Sequence, residues 1–215
     1  MAPAVKVKIC GLTRPQDAAL AAELGAWALG VIFAPESPRR ISIERAAEVM
    51  GAAPAGIARV GVFVNADIAE IAEAVEACGL TAVQLHGDES PAECQAVRER
   101  TGVPVIKAIA VSGPESLERV VQFDTDYVLL DTYHPERRGG TGEVFDWSMP
   151  AALDEGFRRE RLILAGGLNP GNILEAIQKT GSFAVDVSSG VESAPGIKDP
   201  DKLRMLFAKL EKEVE

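Results

Sequence analysis

Between residues 5 and 10 the chain alternates Val5, Val7 and Ile9 against Lys6, Lys8 and Cys10. A period of two with one aliphatic face predicts a β-strand. Gly11 then permits a sharp turn, and Thr13 and Gln16 have the T-x-x-Q spacing of a capping box, which predicts a helix over 16–24. The same succession of a short apolar run and a helical stretch repeats along the chain. Strands are predicted at 28–33, 58–64, 81–86, 104–110, 126–131, 161–165 and 182–187. Helices are predicted at 45–50, from Asp67 with Glu70 as a box-like partner, and from Ser90-Pro91-Ala92-Glu93, where Pro takes the first helical position. Further helices are expected after Pro114, over 148–153, after an Asn169-Pro170 cap and after an Asp199-Pro200 cap.

Eight strands, each followed by a helix, imply parallel pairing through right-handed crossovers. Eight such units argue for an α/β fold of the closed (β/α)8 TIM-barrel type, with residues 1–215 as one barrel domain. An open doubly wound sheet is the structural alternative, disfavoured because no G-x-G-x-x-G follows the first strand. One connection is long, from Thr132 to Trp147, and carries Arg137-Arg138-Gly139-Gly140-Thr141-Gly142. A long Gly-rich loop in a compact domain is more often functional than idle.

Parity within the strands assigns their two faces. The apolar parity, with Val83 and Leu85, Val105 and Ile109, and Val60, Val62 and Val64, is expected to face the helices. The other is expected to line the interior with Lys8, Cys10, Gln84, His86, Lys107, Asp131 and Asp186. Buried charge must pair, so Lys8 and Lys107 should meet carboxylates, Asp186 being the leading candidate.

The net charge of −10 disfavours nucleic acid or an anionic membrane as partner. It leaves room for an anionic small molecule at a locally positive site. No apolar run reaches the ~18 residues of a membrane span. Met1-Ala2-Pro3-Ala4 leads straight into a strand, so no secretory signal is expected. Cys10, Cys78 and Cys94 are odd in number and lack C-x-x-C spacing, which argues against a disulfide framework or a zinc site and for a cytoplasmic protein. Cys78 and Cys94 fall inside predicted helices and read as packing residues.

In such a barrel, chemistry sits at the C-terminal ends of the strands. The last two ends carry Gly166-Gly167 and Ser188-Ser189-Gly190, which offer backbone N–H groups and hydroxyls where these barrels commonly bind phosphate. Arg39, after Ser37-Pro38 in the second loop, can grip a carboxylate with its planar fork. Asp131 ends the sixth strand and works as an acid only if burial or a neighbouring carboxylate lifts it above ~3.9. A free cysteine is most often a small buried hydrophobe. At an inward-facing strand end beside Lys8, however, Cys10 becomes a candidate base. His86 is an alternative base or a hydrogen-bonded structural histidine, and His134 is expected to face solvent.

Taken together, Lys8-Ile9-Cys10-Gly11-Leu12-Thr13, Ser37-Pro38-Arg39, Val83-Gln84-Leu85-His86-Gly87, Leu129-Leu130-Asp131-Thr132, Gly139-Gly140-Thr141-Gly142, Ala165-Gly166-Gly167-Leu168-Asn169-Pro170 and Val185-Asp186-Val187-Ser188-Ser189-Gly190-Val191-Glu192 resemble the phosphoribosylanthranilate isomerase family of tryptophan biosynthesis. The resemblance spans nearly the whole chain. It implies a cofactor-free and metal-free barrel, monomeric or homodimeric, acting on a small phosphosugar. The reaction implied is the Amadori rearrangement of N-(5-phosphoribosyl)anthranilate, an aminoaldose, to 1-(2-carboxyphenylamino)-1-deoxyribulose 5-phosphate. By motif, Cys10 matches the general base, Asp131 the general acid and Arg39 the contact to the anthranilate carboxylate. Gln84, His86, Gly166, Gly167, Ser188, Ser189 and Gly190 complete the expected binding set. Arg40 departs from the pattern, since the family often has an aromatic residue there. Two alternatives are a histidine-pathway aminoaldose isomerase, which has Asp where Cys10 stands, and a non-enzymatic phosphosugar sensor.

Overall fold

The computed structural model describes residues 5–132 and 146–211. The Gly-rich loop expected to carry function, with His134 and Arg137 to Gly142, lies outside the described residues.

The strands β1 (Lys6–Ile9), β2 (Ala28–Ile32), β3 (Ala58–Phe63), β4 (Ala82–Leu85), β5 (Val105–Val111), β6 (Tyr127–Thr132), β7 (Leu162–Leu164) and β8 (Ala184–Val187) pair in sequence order. Every pairing is parallel, and β8 returns to β1 in the register Lys8↔Asp186, so the sheet closes into the expected eight-stranded barrel. The helices α1 (Pro15–Glu23), α2 (Ile43–Gly51), α3 (Ile68–Cys78), α4 (Pro91–Thr101), α5 (Glu115–Glu118), α6 (Glu155–Arg161), α7 (Ile173–Thr180) and α8 (Pro200–Glu211) follow the strands in turn. Between β8 and α8 lie a 3-10 turn at Ser189–Val191 and a hairpin of β9 (Glu192–Ala194) and β10 (Ile197–Lys198).

Two apolar layers hold this together. The outer one lies between strands and helices and includes Ile9, Leu29, Val83, Leu85, Val105, Ile109, Leu130 and Val185. The inner one fills the barrel with Ala28, Val60, Ala82, Ile106, Ala108, Leu129, Ile163, Ala165 and Ala184. Most of these inner side chains are alanine, and the space they leave admits the long stem of Lys8, which is fully buried and adjacent to Ala28 in register. Trp27, Tyr127 and Phe183 pack ring against ring beside the inner layer at its N-terminal end, with the Lys6 ammonium over Trp27 and Phe183.

Several expectations need correction. Lys107 does not line the interior. It shares the parity of Val105 and Ile109, faces outward, and meets Glu89 at 2.7 Å rather than Asp186. In β3 the faces are reversed: Val60 belongs to the inner layer, and Gly61 takes the outer side against Leu80 and Phe63. Thr13 does not cap α1, because its hydroxyl donates to the Gly196 carbonyl at 2.5 Å. Nor does Asp67 make a side-chain cap on α3. The expected helix at 148–153 is only a 3-10 turn, Met149–Ala152, and the helix proper starts after Asp154, whose carboxylate caps Phe157 N–H. Asn169 caps the Gly171 N–H and leaves α7 to begin after Asn172. The Ser90–Glu93 box is present in full.

Candidate active site

Cys10 follows β1 directly, and its backbone N–H donates to the Val187 carbonyl at 3.0 Å. The first strand end is thereby tied to the last. Gly30 lies beneath it: a side chain there would come within 2.9 Å of the Cys10 sulfur. The thiol is buried, and burial pushes its pKa above the ordinary value while the Lys8 charge acts in the other direction without overcoming it. Lys8 itself pairs with Asp186 at 2.8 Å. Burial alone would lower the lysine, but Asp186 and Cys10, through charge and hydrogen bonding together, outweigh it and hold Lys8 above its usual range.

Gly11 turns the chain with φ +74°, in the left-handed region that glycine tolerates. A side chain there would fall 2.5 Å from the Arg39 stem and 2.9 Å from the Ser188 hydroxyl. Arg39 therefore crosses directly over the first strand end. It is buried, and its Nε and Nη2 form a bidentate pair with Glu192 at 2.9 and 2.7 Å. Burial would raise Glu192, but Arg39 and Lys198 together hold it below the usual carboxylate range. The neighbouring Arg40 is exposed, as a solvated charge should be.

Asp131 is buried near the end of β6. Its Oδ1 accepts the Thr132 N–H at 2.8 Å, and its Oδ2 lies 3.2 Å from His86 Nε2. Gln84 Nε2 lies 2.8 Å from His86 Nδ1. As oriented, the amide donates to Nδ1, so Nε2 carries the proton and donates to the Asp131 carboxylate. Rotating the Gln84 amide by half a turn would make Oε1 accept from Nδ1–H, and the proton of the second contact would then belong to Asp131. Oε1 is buried and has no hydrogen-bond partner among the described residues, so one end of this amide finds none among them in either orientation. Gln84, His86 and Asp131 thus form one hydrogen-bonded chain.

Gly166 (φ +89°) and Gly167 (φ +64°) turn the chain after β7. A side chain on Gly166 would overlap the Thr132 hydroxyl, and one on Gly190 would overlap the Leu168 carbonyl. The loops after β6, β7 and β8 therefore close on one another only because these positions lack Cβ. The Gly167 carbonyl is drawn aside by the side-chain amides of Asn169 and Asn172, at 3.1 and 3.0 Å. Ser188 and Ser189 stand half-buried at the start of the 3-10 turn.

The structure thus gathers Cys10, Arg39, Ser188 and Ser189 on one side of the barrel mouth, and Gln84, His86 and Asp131 on another. Glu192 and Lys198, which join the first group, were not expected from the sequence. No group of three or more His, Cys, Asp or Glu side chains suited to a metal occurs among the described residues.

Residues 7–209 match the profile of the N-(5'phosphoribosyl)anthranilate (PRA) isomerase family. The chain belongs to the phosphoribosylanthranilate isomerase family. It is 48% identical over 208 residues to the isomerase of Citrifermentans bemidjiense, covering 96% of this chain and 97% of that protein. The solved phosphoribosylanthranilate isomerase of Thermus thermophilus superposes with a TM-score of 0.87 at 41% identity, covering 97% of this chain and all of that one. Another family member, solved in complex with reduced 1-(o-carboxyphenylamino)-1-deoxyribulose 5-phosphate, gives a TM-score of 0.82 at 40% identity over 97% of this chain and 99% of that one. A third, from Thermotoga maritima, is dimeric in its parent form and resembles this chain at a TM-score of 0.84 and 40% identity, covering 97% and 99% of the two chains.

Proposed function

We infer that this chain catalyses the Amadori rearrangement of N-(5-phosphoribosyl)anthranilate in tryptophan biosynthesis, with Cys10 as general base and Asp131 as general acid. The observation that carries the reading is the placement of these two side chains at the mouth of the same barrel, at the ends of β1 and β6, in a chain that matches the family over residues 7–209.

Asp131 gives a proton to the furanose ring oxygen, and the ring opens to a Schiff base. Cys10, having first lost its own proton to solvent, removes the proton from C2′ as a thiolate, and the electrons move into the substrate's nitrogen. The enolamine then ketonises, one proton moving from O2′ to C1′, and proton exchange with solvent resets the thiol and the carboxyl. The substrate's own nitrogen is the electron sink, so the sequence of steps calls for no cofactor. With the Gln84 amide turned by half a turn, His86 Nε2 would accept a hydrogen bond from the Asp131 proton until the ring oxygen takes it. Lys8 stabilises the thiolate at the moment it forms, since a cation beside a buried thiol favours its charged state.

Gly166, Gly167, Ser188, Ser189 and Gly190 hold the phosphate, remote from the reacting carbons, and this anchoring lowers the barrier by fixing the sugar. Arg39 receives the anthranilate carboxylate on the edge of its guanidinium not taken by Glu192. The three free thiols fit a reducing, cytoplasmic setting. The chain works as a monomer or, by likeness to the T. maritima enzyme, as a homodimer; sedimentation separates the two.

Turnover is tested by the loss of phosphoribosylanthranilate fluorescence on adding the purified protein. Turnover of the histidine-pathway aminoaldose alone would overturn the assignment. Phosphosugar binding without turnover of either substrate would favour a sensor.

A further inference from the structure

Lys198 is fully buried and has no part in the reaction as written above. Its ammonium donates to three oxygens: the Cys10 carbonyl at 2.5 Å, the Ser188 carbonyl at 3.1 Å and Glu192 Oε1 at 2.9 Å. Its own backbone N–H donates to Asp17 Oδ2 at 3.0 Å, and Asp17 is held in turn by Arg14 at 2.7 Å. The hairpin register Lys198↔Glu192 sets the two charges side by side. Lys198 is thus fixed at both ends, beneath the point where the base and the expected phosphate loop meet.

Two consequences follow from elementary geometry. In a trans peptide the C=O and the next N–H point in opposite directions. A cation that draws the carbonyls of Cys10 and Ser188 to one side therefore turns the N–H groups of Gly11 and Ser189 to the other. It also keeps two electron-rich oxygens from facing an anion. Within this cluster two cations, Arg39 and Lys198, share one carboxylate, Glu192, so the cluster carries net positive charge behind the loop.

We propose that Lys198 is a positioning residue for the isomerisation, which orients the Gly11 and Ser189 amides toward the substrate phosphate and fixes the backbone that carries Cys10. The proposal rests on the functional reading above and adds to it a residue that touches neither the substrate nor the reacting atoms.

Lys198→Met is the informative variant. It removes the ammonium but leaves Arg39 and Glu192 as a matched pair, so no charge is orphaned. Five quantities are read: kcat and KM with phosphoribosylanthranilate, the inhibition constant of inorganic phosphate, that of anthranilate, and the melting temperature. Loss of charge-assisted hydrogen bonds predicts at least a ~10-fold weaker phosphate inhibition and a ~10-fold lower kcat. Anthranilate, held through Arg39, should change by less than about 2-fold. Lys198→Gln, which can still donate to two of the oxygens, should fall between and serves if the Met variant does not fold. Phosphate inhibition and kcat both near wild type would overturn the proposal. So would an equal weakening of phosphate and anthranilate that tracks the loss of melting temperature, since a merely structural role gives that pattern. Failure of the wild-type protein to turn over the substrate would instead remove the functional reading, while the phosphate comparison would still decide whether Lys198 shapes an anion site.

Discussion

His86 Nε2 lies 3.2 Å from Asp131 Oδ2, and the far side of the same ring is held 2.8 Å from Gln84 Nε2. If Asp131 is the acid, as proposed, it sits beside a ring that can hydrogen-bond to its proton. Asp131→Asn keeps the shape but removes the transferable proton, and kcat should fall by at least ~10². Gln84→Leu leaves Asp131 in place and frees the ring, so kcat should fall only about 10-fold with KM little changed. Steady-state kinetics of the two variants side by side tests the order. A Gln84→Leu loss as large as that of Asp131→Asn would mean that His86, not Asp131, is the acid.

Cys10→Ala should lower kcat by at least ~10² while product affinity stays near wild type, as expected when a base is removed and the binding groups are kept. Product binding is measured by fluorescence titration. A kcat close to wild type would exclude the thiol from the chemistry.

Lys8 and Asp186 form a buried pair directly across the β1–β8 seam, and Asp186 Oδ1 has no hydrogen-bond partner among the described residues. Lys8→Met leaves that carboxylate buried and unpaired, and the expected cost is about 3 kcal/mol. Lys8→Met combined with Asp186→Leu should regain most of it, because no charge is left behind. Urea denaturation of the two variants and the wild type reads the difference. Equal destabilisation by the single and double changes would show that packing, not the unpaired charge, sets the cost.

Burial raises the Cys94 thiol to about 11. The folded state then keeps a proton that the unfolded chain releases above ~8.5, so stability is complete below that pH and is lost as pH climbs toward 11. Wild type and Cys94→Ala should differ by an offset constant up to pH 8. Above that the advantage of the wild type should shrink, with an upper slope of about 1.4 kcal/mol per pH unit. Denaturant titrations at a series of pH values between 7 and 10.5 measure it. A constant offset throughout would show that the thiol titrates alike in both states.

The barrel was legible because each strand is a short apolar run and each helix follows at a regular interval, information that is local to every unit. The Ser90–Glu93 cap was legible for the same reason, since all its atoms lie within one turn. Thr13 misled because its hydroxyl is taken by Gly196, 183 residues away, and no local pattern announces that. Lys107 misleads because its charge resembles that of the interior lysine Lys8, whereas its strand position is an outward one. Its parity with Val105 and Ile109 was the better guide, with Glu89 waiting outside. Cys10 and Asp131 are expected at strand ends and Arg39 in the second loop, and the structure has all three at the barrel mouth, two by strand position and the third by its reach to Glu192. Glu192 was visible only as the last residue of a motif, and Lys198 as an ordinary lysine before a helix. Their partners become apparent only when β8 closes on β1.

That closure gives the chain an order in time. The groups that surround Cys10, among them Asp186, Ser188 and Lys198, are made nearly last, and the Lys198 contact spans 188 residues. At a synthesis rate of ~5–20 residues per second, the thiol is made on the order of 10 s or more before the lysine that will brace it. A nascent chain therefore carries an unshielded cysteine through most of its birth. The finished seam is what first shuts that sulfur away from oxidants.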